Sequence, residues 1–351
     1  MDHMKMLVIV QNLSIGGVQR LIVDQVQELQ ERGHEVWLIF FEDTGDIQMK
    51  SELVIPSSRL IFIDYKRMRD IKGFLEMLKS LRKIKPDVVL THLWFANTVG
   101  RIASFISSVP FVISFEHSTY DTVKSRRQFF FDWVLQYVSS YVVAVSSAVE
   151  YSLISHGIQK KKIRVIKNGI YLEKFTSSFQ QEPAYFLYVG RLVYDKGVDV
   201  LLQALALVKE VKLVIVGDGP EKENLVKLAQ KLHLDERVSF VGSQKSLNHY
   251  FEKAIALILP SRREGFGLVL IEALAASVPV IGTNIGGIID IIKNEENGFL
   301  IPPNNVSELA SAMKHMLQKN VRKPLALHAP TSATSFSIHT HVDELLNLLE
   351  V

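Results

Sequence analysis

Short β-branched apolar runs alternate along the chain with longer stretches whose apolar residues recur at helical spacing, the pattern of a parallel α/β sheet. In the first half MLVIVQN, HEVWLIFF, DVVLTH, PFVISFEH and YVVAVS read as strands. VQRLIVDQVQELQERG and FLEMLKSLRKIKP read as helices between them. The rhythm restarts at YFLYVGR and runs through VKLVIVGDG, VSFVG, AIALILPS and PVIGTN. Its helices are GVDVLLQALALVKE, EKENLVKLAQKL, the run after Phe266 and VSELASAMKHMLQK. Residues 168–186 are polar and break the rhythm, and an irregular stretch at 320–335 precedes a last amphipathic helix around 339–349. The pattern predicts two Rossmann-like domains, 1–172 and 173–334, followed by a C-terminal helix in 335–351. Ligands of such sheets bind at the carboxyl ends of the strands. Two such sheets facing one another imply a cleft.

Composition narrows the classes. The 351 residues are 48% apolar and 22% charged, the mix of an ordinary globular protein. No cysteine is present, which excludes disulfides, thiolate metal sites and a cysteine nucleophile, and fits a cytoplasmic location. No secretory signal is read at the N-terminus, where Met1–His3 look like a cloning scar before a natural start at Met4. Glu272 interrupts the longest apolar run, so no transmembrane helix is expected. The net charge of +3 is too small to imply nucleic acid, but it is uneven. Up to Phe175 there are 23 Lys and Arg against 18 Asp and Glu; the remainder has 17 against 19.

Four stretches carry candidate chemistry. In NLSIGGVQRL, Gly16 and Gly17 open backbone N–H groups at a helix start, which suits a phosphate or simply a tight strand–helix turn. LVIVGDGPEKENL imitates a dinucleotide fingerprint, but Lys222 stands where its third glycine belongs. YVGRLVYDKG sets Arg191 and Lys196 in one loop, either to neutralise a diphosphate or to face solvent. PSRREGFGLVLIEALAASVPVI carries Glu264 before a helix and Glu272 about one turn inside it. The helical part alone separates them by about 8 Å, too far for a retaining glycosidase pair but within the range of an inverting one. The intervening helix N-terminus favours an anion between the acids. A ligand with a central phosphate and hydroxyls at both ends, a nucleotide sugar, fits that spacing.

Over nearly its whole length the chain resembles the family 4 glycosyltransferases, retaining enzymes of the GT-B fold. The resemblance rests on GGVQR, THLWFAN, FEH, VSSAV, IKNGIYLEKF, YVGRLVYDKG, VIVGDGPEKENL, FVGSQ, LPSRREGFGLVLIEALA, PVIGTNIGGIIDII and NGFLIPP, in that order. It implies two facing Rossmann-like domains with the C-terminal helix returning to the first. It implies catalytic roles for His117, Arg191, Lys196 and Glu264, with Arg191 and Lys196 on the donor diphosphate and Glu264 on the donor sugar. Gly16, Gly17, Gly190, Val241, Gly242, Phe266, Gly267, Leu268 and Glu272 would bind the donor, Glu272 through the ribose. Without the family context His117 reads as a hydrogen-bonded histidine at a strand end. No metal and no cofactor beyond the donor is implied. Ser277 and Asp290 depart from the family pattern, Asp290 standing where glutamate is usual.

The acceptor is expected on the basic first half, as a glycan or lipid-linked molecule of cell-envelope or surface polysaccharide synthesis. His92, Arg126 and Arg127 are candidates for that side, His92 either facing the acceptor or packing. Residues 65–85 hold eight Lys and Arg against two acids, and VKSRRQFFFDWVLQYV mixes Lys124, Arg126 and Arg127 with Phe129, Phe130, Phe131 and Trp133. Such a mixture suits peripheral contact with an anionic membrane at its inner face, or a solvated face on one helix and a buried face on the other. Other classes consistent with the sequence are a non-catalytic GT-B partner subunit and a GT-B epimerase or phosphorylase.

Overall fold

The computed structural model describes residues 3–14, 16–43, 50, 52–119, 124–175, 182–209 and 211–350. It divides into two units, Met1–Gly169 with Ile338–Val351, and Ile170–Ser337. These limits fall three residues before 172 and three after 334. Part of the polar boundary stretch, 176–181, and the first two residues lie outside the described residues.

The first unit is a seven-stranded sheet flanked by helices. In chain order it runs β1 (Lys5–Asn12), α1 (Gly17–Glu31), β2 (Glu35–Glu42), β3 (Leu60–Phe62), α2 (Ile71–Ile84), β4 (Val88–His92) and α3 (Trp94–Ile106). Then follow β5 (Phe111–Glu116), α4 (Arg126–Leu135), β6 (Tyr141–Ala144), α5 (Ser147–Ser155) and β7 (Ile163–Val165). All pairings are parallel, in the order β3-β2-β1-β4-β5-β6-β7. Met6–Val10 and Val88–His92 are buried throughout, because helices cover both faces of a parallel sheet. On one face Phe41, Tyr65 and Phe95 meet edge to face, with centroids 5.1–5.6 Å apart. The order reverses between β1 and β4, which opens a crevice at their carboxyl ends.

The second unit comprises β8 (Tyr185–Val189), α6 (Val198–Ala206), β9 (Lys212–Val216), α7 (Lys222–Lys231), β10 (Val238–Gly242), α8 (Asn248–Phe251) and β11 (Ala254–Leu259). It continues with α9 (Leu268–Ala275), β12 (Val280–Thr283), α10 (Ile288–Ile291), β13 (Gly298–Ile301), α11 (Val306–Leu317) and α12 (Lys319–Ala333). Its parallel sheet has the order β10-β9-β8-β11-β12-β13, reversing between β8 and β11. The expectation of irregular chain at 320–335 is corrected by α12. Pro324 and Pro330 each remove a helical hydrogen bond, yet Leu325, Ala326, Ala329 and Ala333 are buried and the helix packs on α9 and α11. Tertiary burial outweighs the local penalty there.

The last helix, α13 (Ile338–Asn347), belongs to the first unit and lies on α1. His339 Nδ1 is 2.9 Å from Glu28, Arg32 pairs with Asp343, and Gln25 meets His341 at 2.9 Å. Among the described residues no helix is long and apolar enough to cross a membrane.

Candidate active site

In the second unit the loops after β8 and β11 meet at the strand-order reversal. Lys196 ends a short 3-10 turn, Tyr194–Lys196, and Gly197 follows at φ +66° as the N-cap of α6. A Cβ on Gly197 would lie 2.1 Å from the Pro260 carbonyl oxygen, so the β8 loop rests on the backbone after β11. Arg262 N donates to Asp195 O at 2.7 Å, which extends that seam. Lys196 Nζ then reaches Glu264 Oε2 at 2.5 Å, with Ser261 Oγ 3.4 Å from the same oxygen. Both charged side chains are largely shielded, 19% and 13% exposed, so their attraction is only weakly screened. Arg191 stands exposed at the mouth of the loop. Beneath it Tyr188 Oη donates to the Arg191 carbonyl at 3.0 Å. Burial, reinforced by the charge of Glu264, pushes the Tyr188 phenol well above its ordinary range, so it stays a neutral donor.

Glu264 is followed by Gly265, buried Phe266 and Gly267, the N-cap of α9 at φ +99°. Among the described residues no side chain caps this helix, nor those starting after Gly16 and Gly197, whose N-caps are glycine. Asp70, Ser125, Ser146 and Asn305, by contrast, cap their own helices. The Glu264 turn is pinned from the β12 side by Gly286, at φ +49°, where a Cβ would lie 1.8 Å from the Glu264 carbonyl oxygen. Along α9 Leu268, Leu270, Ile271, Ala273 and Leu274 are buried, while Glu272 is only half-buried. Each buried leucine or isoleucine contributes about 1.5–3 kcal/mol, enough to hold a helix that carries an acid. Gly190 joins the same crest, its N donating to Val216 O at 3.0 Å. Val241 and Gly242 end β10, two strands away, with Gly242 O accepting from Gly217 N at 2.9 Å.

In the first unit the turn after β1 is organised by Asn12, whose Oδ1 accepts from Ser14 Oγ at 2.8 Å and from Gln19 Nε2 at 3.0 Å. Gly16 and Gly17 follow at the start of α1. His92 closes β4 and His117 follows β5, on the adjacent strand. Their rings stack with centroids 5.3 Å apart, and His92 Nδ1 lies 3.1 Å from His117 Nε2, sharing one proton. His92 is fully buried and also stacks on Phe115 at 4.5 Å. Of the two readings of His92, facing the acceptor or packing, its burial at the end of β4 against His117 fits packing. His117 is half-buried, but its Nδ1 is sealed from solvent and finds no hydrogen-bond partner among the described residues. Burial, with His341 adding to it, pushes His117 down to about 3. Behind Phe115 lies His341, whose Nδ1 donates to Lys167 O at 2.8 Å, leaving Nε2 to accept from Gln25. Burial lowers His341 to about 4, so it too is neutral near pH 7.

Two family models match consecutive segments of the chain: one described as Glycosyltransferase Family 4 over residues 15–174, and one as Glycosyl transferases group 1 over residues 172–329. The chain is a family 4 glycosyltransferase. It is 28% identical over 324 residues to the capsular polysaccharide biosynthesis glycosyltransferase CapM of Staphylococcus aureus, covering 85% of this chain and 84% of CapM. It is 25% identical over 365 residues to an Escherichia coli UDP-Gal:alpha-D-GlcNAc-diphosphoundecaprenol alpha-1,3-galactosyltransferase, covering 95% and 93%. The structure of Anabaena HepE in complex with UDP and glucose superposes with a TM-score of 0.90 at 22% identity, over 99% of this chain and 100% of HepE. Both sheets thus have the arrangement of GT-B proteins.

Two sets of residues in this glycosyltransferase escape a reading by motif. Arg262 forks onto Asp199 with 2.8 and 2.7 Å contacts, donates to Tyr194 O and Asn304 Oδ1, and lies over the Tyr194 ring. It clamps the Lys196 loop to the Glu264 loop. In the first unit Lys124 bridges Glu116 at 2.8 Å and Asp132 at 2.7 Å, and Asp132 also pairs with Arg101. The four side chains are almost wholly buried, and Asn97 ties Glu116 to α3. Lys124 and Phe129, which stacks on His156 at 4.4 Å, are therefore removed from the exposed basic–aromatic surface expected from sequence. Arg126 and Arg127 remain exposed at the start of α4.

Proposed function

We propose that this glycosyltransferase moves a sugar from a nucleoside-diphosphate sugar to a glycan or lipid-linked acceptor in surface polysaccharide synthesis, with retained anomeric configuration. The observation that carries the reading is the Lys196–Glu264 pair at the strand-order reversal, beside two helix starts that no side chain caps. Such a place attracts an anion flanked by hydroxyls. In this reading the bond from the sugar's anomeric carbon to the diphosphate oxygen breaks, and the electron pair leaves with the nucleoside diphosphate. The acceptor hydroxyl's oxygen ends bonded to that carbon on the same face, its proton passing to the departing diphosphate. Arg191 and Lys196 meet that growing charge, together with the N–H groups of Phe266, Gly267 and Leu268. Glu264 orients the sugar, Glu272 holds the ribose hydroxyls, and Val241 and Gly242 lie toward the base. Gly190 shapes the loop that carries Arg191. Gly16 and Gly17 are assigned to donor phosphate and His117, as a neutral imidazole, to a sugar hydroxyl. The charge neutralisation is supplied by these side chains and helix starts, without a resident metal or cofactor.

The named relatives support the substrate class: HepE holds UDP and glucose, and the E. coli enzyme is named for a UDP-sugar donor and a diphosphoundecaprenol acceptor. The reading extends to a peripheral contact with an anionic membrane on the cytoplasmic side, where a lipid-linked acceptor is met. The test is product analysis with a panel of nucleotide sugars and a lipid-linked acceptor, reading the anomeric configuration by NMR. A retained linkage formed by wild type and lost in Lys196→Ala supports the proposal; an inverted linkage, or full turnover by that variant, overturns it.

A further inference from the structure

We infer that the turn after β9, residues 217–221, is a mould for the backbone of Arg191, and that Tyr188, Gly217 and Gly219 are positioning residues acting through that arginine on the donor diphosphate. This deepens the proposed reading and rests on it for the role of Arg191. The turn belongs to VIVGDGPEKENL, the stretch that imitates a dinucleotide fingerprint. Its glycines do not open toward a ligand. A Cβ on Gly217 would lie 1.9 Å from the Gly190 carbonyl oxygen, and one on Gly219 would lie 2.4 Å from the Leu192 carbonyl oxygen. The backbone of the β8 loop fills the space that side chains there would take. The charges of the turn are spent within it, Asp218 accepting from Gly219 N and from Lys222 Nζ, each at 2.8 Å.

The mould holds one peptide group after another. Gly190 N donates to Val216 O at 3.0 Å, Leu192 N to Asp218 O at 2.9 Å, and Glu221 N to Leu192 O at 3.0 Å. Arg191 O accepts from Tyr188 Oη at 3.0 Å. Arg191 O and Leu192 N belong to the same peptide plane, so that plane is pinned at both ends. Tyr188 is fully buried, and a Cβ on Gly190 would lie 2.8 Å from its hydroxyl, so glycine at 190 leaves room for the bond. The mould is itself anchored, since Gly217 N donates to Gly242 O at 2.9 Å. The turn thus joins the residues assigned to the base with the arginine assigned to the diphosphate.

Arg191 needs such support more than Lys196 does. Glu264 holds the Lys196 side chain directly. The exposed Arg191 side chain makes no hydrogen bond or ion pair among the described residues, so its placement is set where it leaves the backbone. A displacement of about 1 Å in a group that meets a reacting centre can cost about a hundredfold in rate.

Hydrogen exchange of single amides is followed by NMR on the full chain without nucleotide, for wild type, Tyr188→Phe and Gly219→Ala. Leu192 N–H should exchange about tenfold faster in both variants. Leu213 N–H, which donates to Arg237 O at 2.8 Å, should keep its wild-type rate and show that the unit is folded. If Gly219→Ala does not fold, Tyr188→Phe carries the test, because it keeps the ring and loses only the hydroxyl. Calorimetry then measures binding of UDP, GDP and dTDP. The nucleotide that wild type binds best should bind Tyr188→Phe about fivefold more weakly, the worth of one hydrogen bond. Tyr188→Phe/Arg191→Gln should bind it no more weakly than Arg191→Gln alone, since the tyrosine acts through the arginine. A merely structural role for Tyr188 gives the same loss in both backgrounds. Unchanged Leu192 exchange, or losses that add, would overturn the inference. Binding of none of the three nucleotides by wild type overturns the donor reading and the use of the mould with it, while the exchange rates still decide whether the mould exists.

Discussion

Lys196 Nζ lies 2.5 Å from Glu264 Oε2, so the cation after β8 and the acid after β11 hold one another across the reversal in strand order. Each side chain fixes the other, and neither has to be gathered from solvent when a donor arrives. Removing one partner strands a shielded charge and removes a contact to substrate together. Lys196→Ala and Glu264→Gln are each expected to lower kcat by about 10²–10³, the loss typical of one electrostatic stabiliser. Far-UV circular dichroism should be unchanged. The same initial-rate assay on both variants checks this, and a loss under fivefold in either would break the assignment.

Arg262 is a positioning residue, acting through the two loops it joins. Its fork onto Asp199 needs a planar guanidinium, which lysine cannot reproduce. Arg262→Lys is expected to cost about tenfold in kcat and to lower the thermal midpoint, and Asp199→Asn to do the same. Because the two act on one contact, the double variant should lose little more than either single one. Additive losses would show that they act separately.

The His92–His117 contact sets how His117 presents its other nitrogen. His92→Phe keeps a ring for stacking and removes the shared proton, so kcat should fall up to about tenfold, the worth of one hydrogen bond. His117→Ala should cost about 10²-fold if it orients substrate. Nitrogen-15 shifts of the His117 ring should change between wild type and His92→Phe, because the tautomer is no longer imposed. Identical ring shifts would remove this role from His92. With His117 held near 3, no limb of the pH–rate profile between pH 5 and 8 should belong to it.

Acid stability carries the sign of the buried imidazoles. In the folded chain His341 stays neutral down to about 4, whereas an unfolded histidine takes a proton near its ordinary value of about 6.5. Between those values the unfolded state binds more protons, so stability rises with pH; it is complete above about 6.5 and lost as pH falls toward 4. The loss amounts to about 3 kcal/mol at the lower end. Urea unfolding of wild type and His341→Phe at several pH values should show a smaller acid-side fall in the variant, even though its stability at neutral pH is reduced. An unchanged slope would contradict this.

Much of both sheets was legible because strands covered on two faces must be continuous Val, Ile and Leu runs, and β1, β4 and β11 are. The helix α3 was not, because its buried face includes Asn97, Arg101 and Ser104, polar residues that spoil the apolar period. Pro324 and Pro330 concealed α12. The edge strands β3, β7 and β13 are three or four residues long, too short to show a pattern. At the site, Arg191, Lys196, Glu264 and Glu272 stand out because each lies in a local motif. Their partnerships do not, since Lys196 and Glu264 are 68 residues apart and Arg262 and Asp199 are 63 apart. Lys124 read as a surface cation because nothing local reveals that Glu116 and Asp132 enclose it.

The central claim is that the second unit grips a nucleoside-diphosphate sugar between Lys196 and Glu272. Thermal shift with a panel of UDP-, GDP- and dTDP-sugars measures it most directly, since a ligand at 100 times its Kd adds about 2.7 kcal/mol to stability. At least one nucleotide sugar should raise the midpoint of wild type, and Lys196→Ala and Glu272→Ala should each lose that rise while unfolding at their own unliganded midpoints as before. A panel without any shift, or a shift that both variants keep in full, would contradict the account.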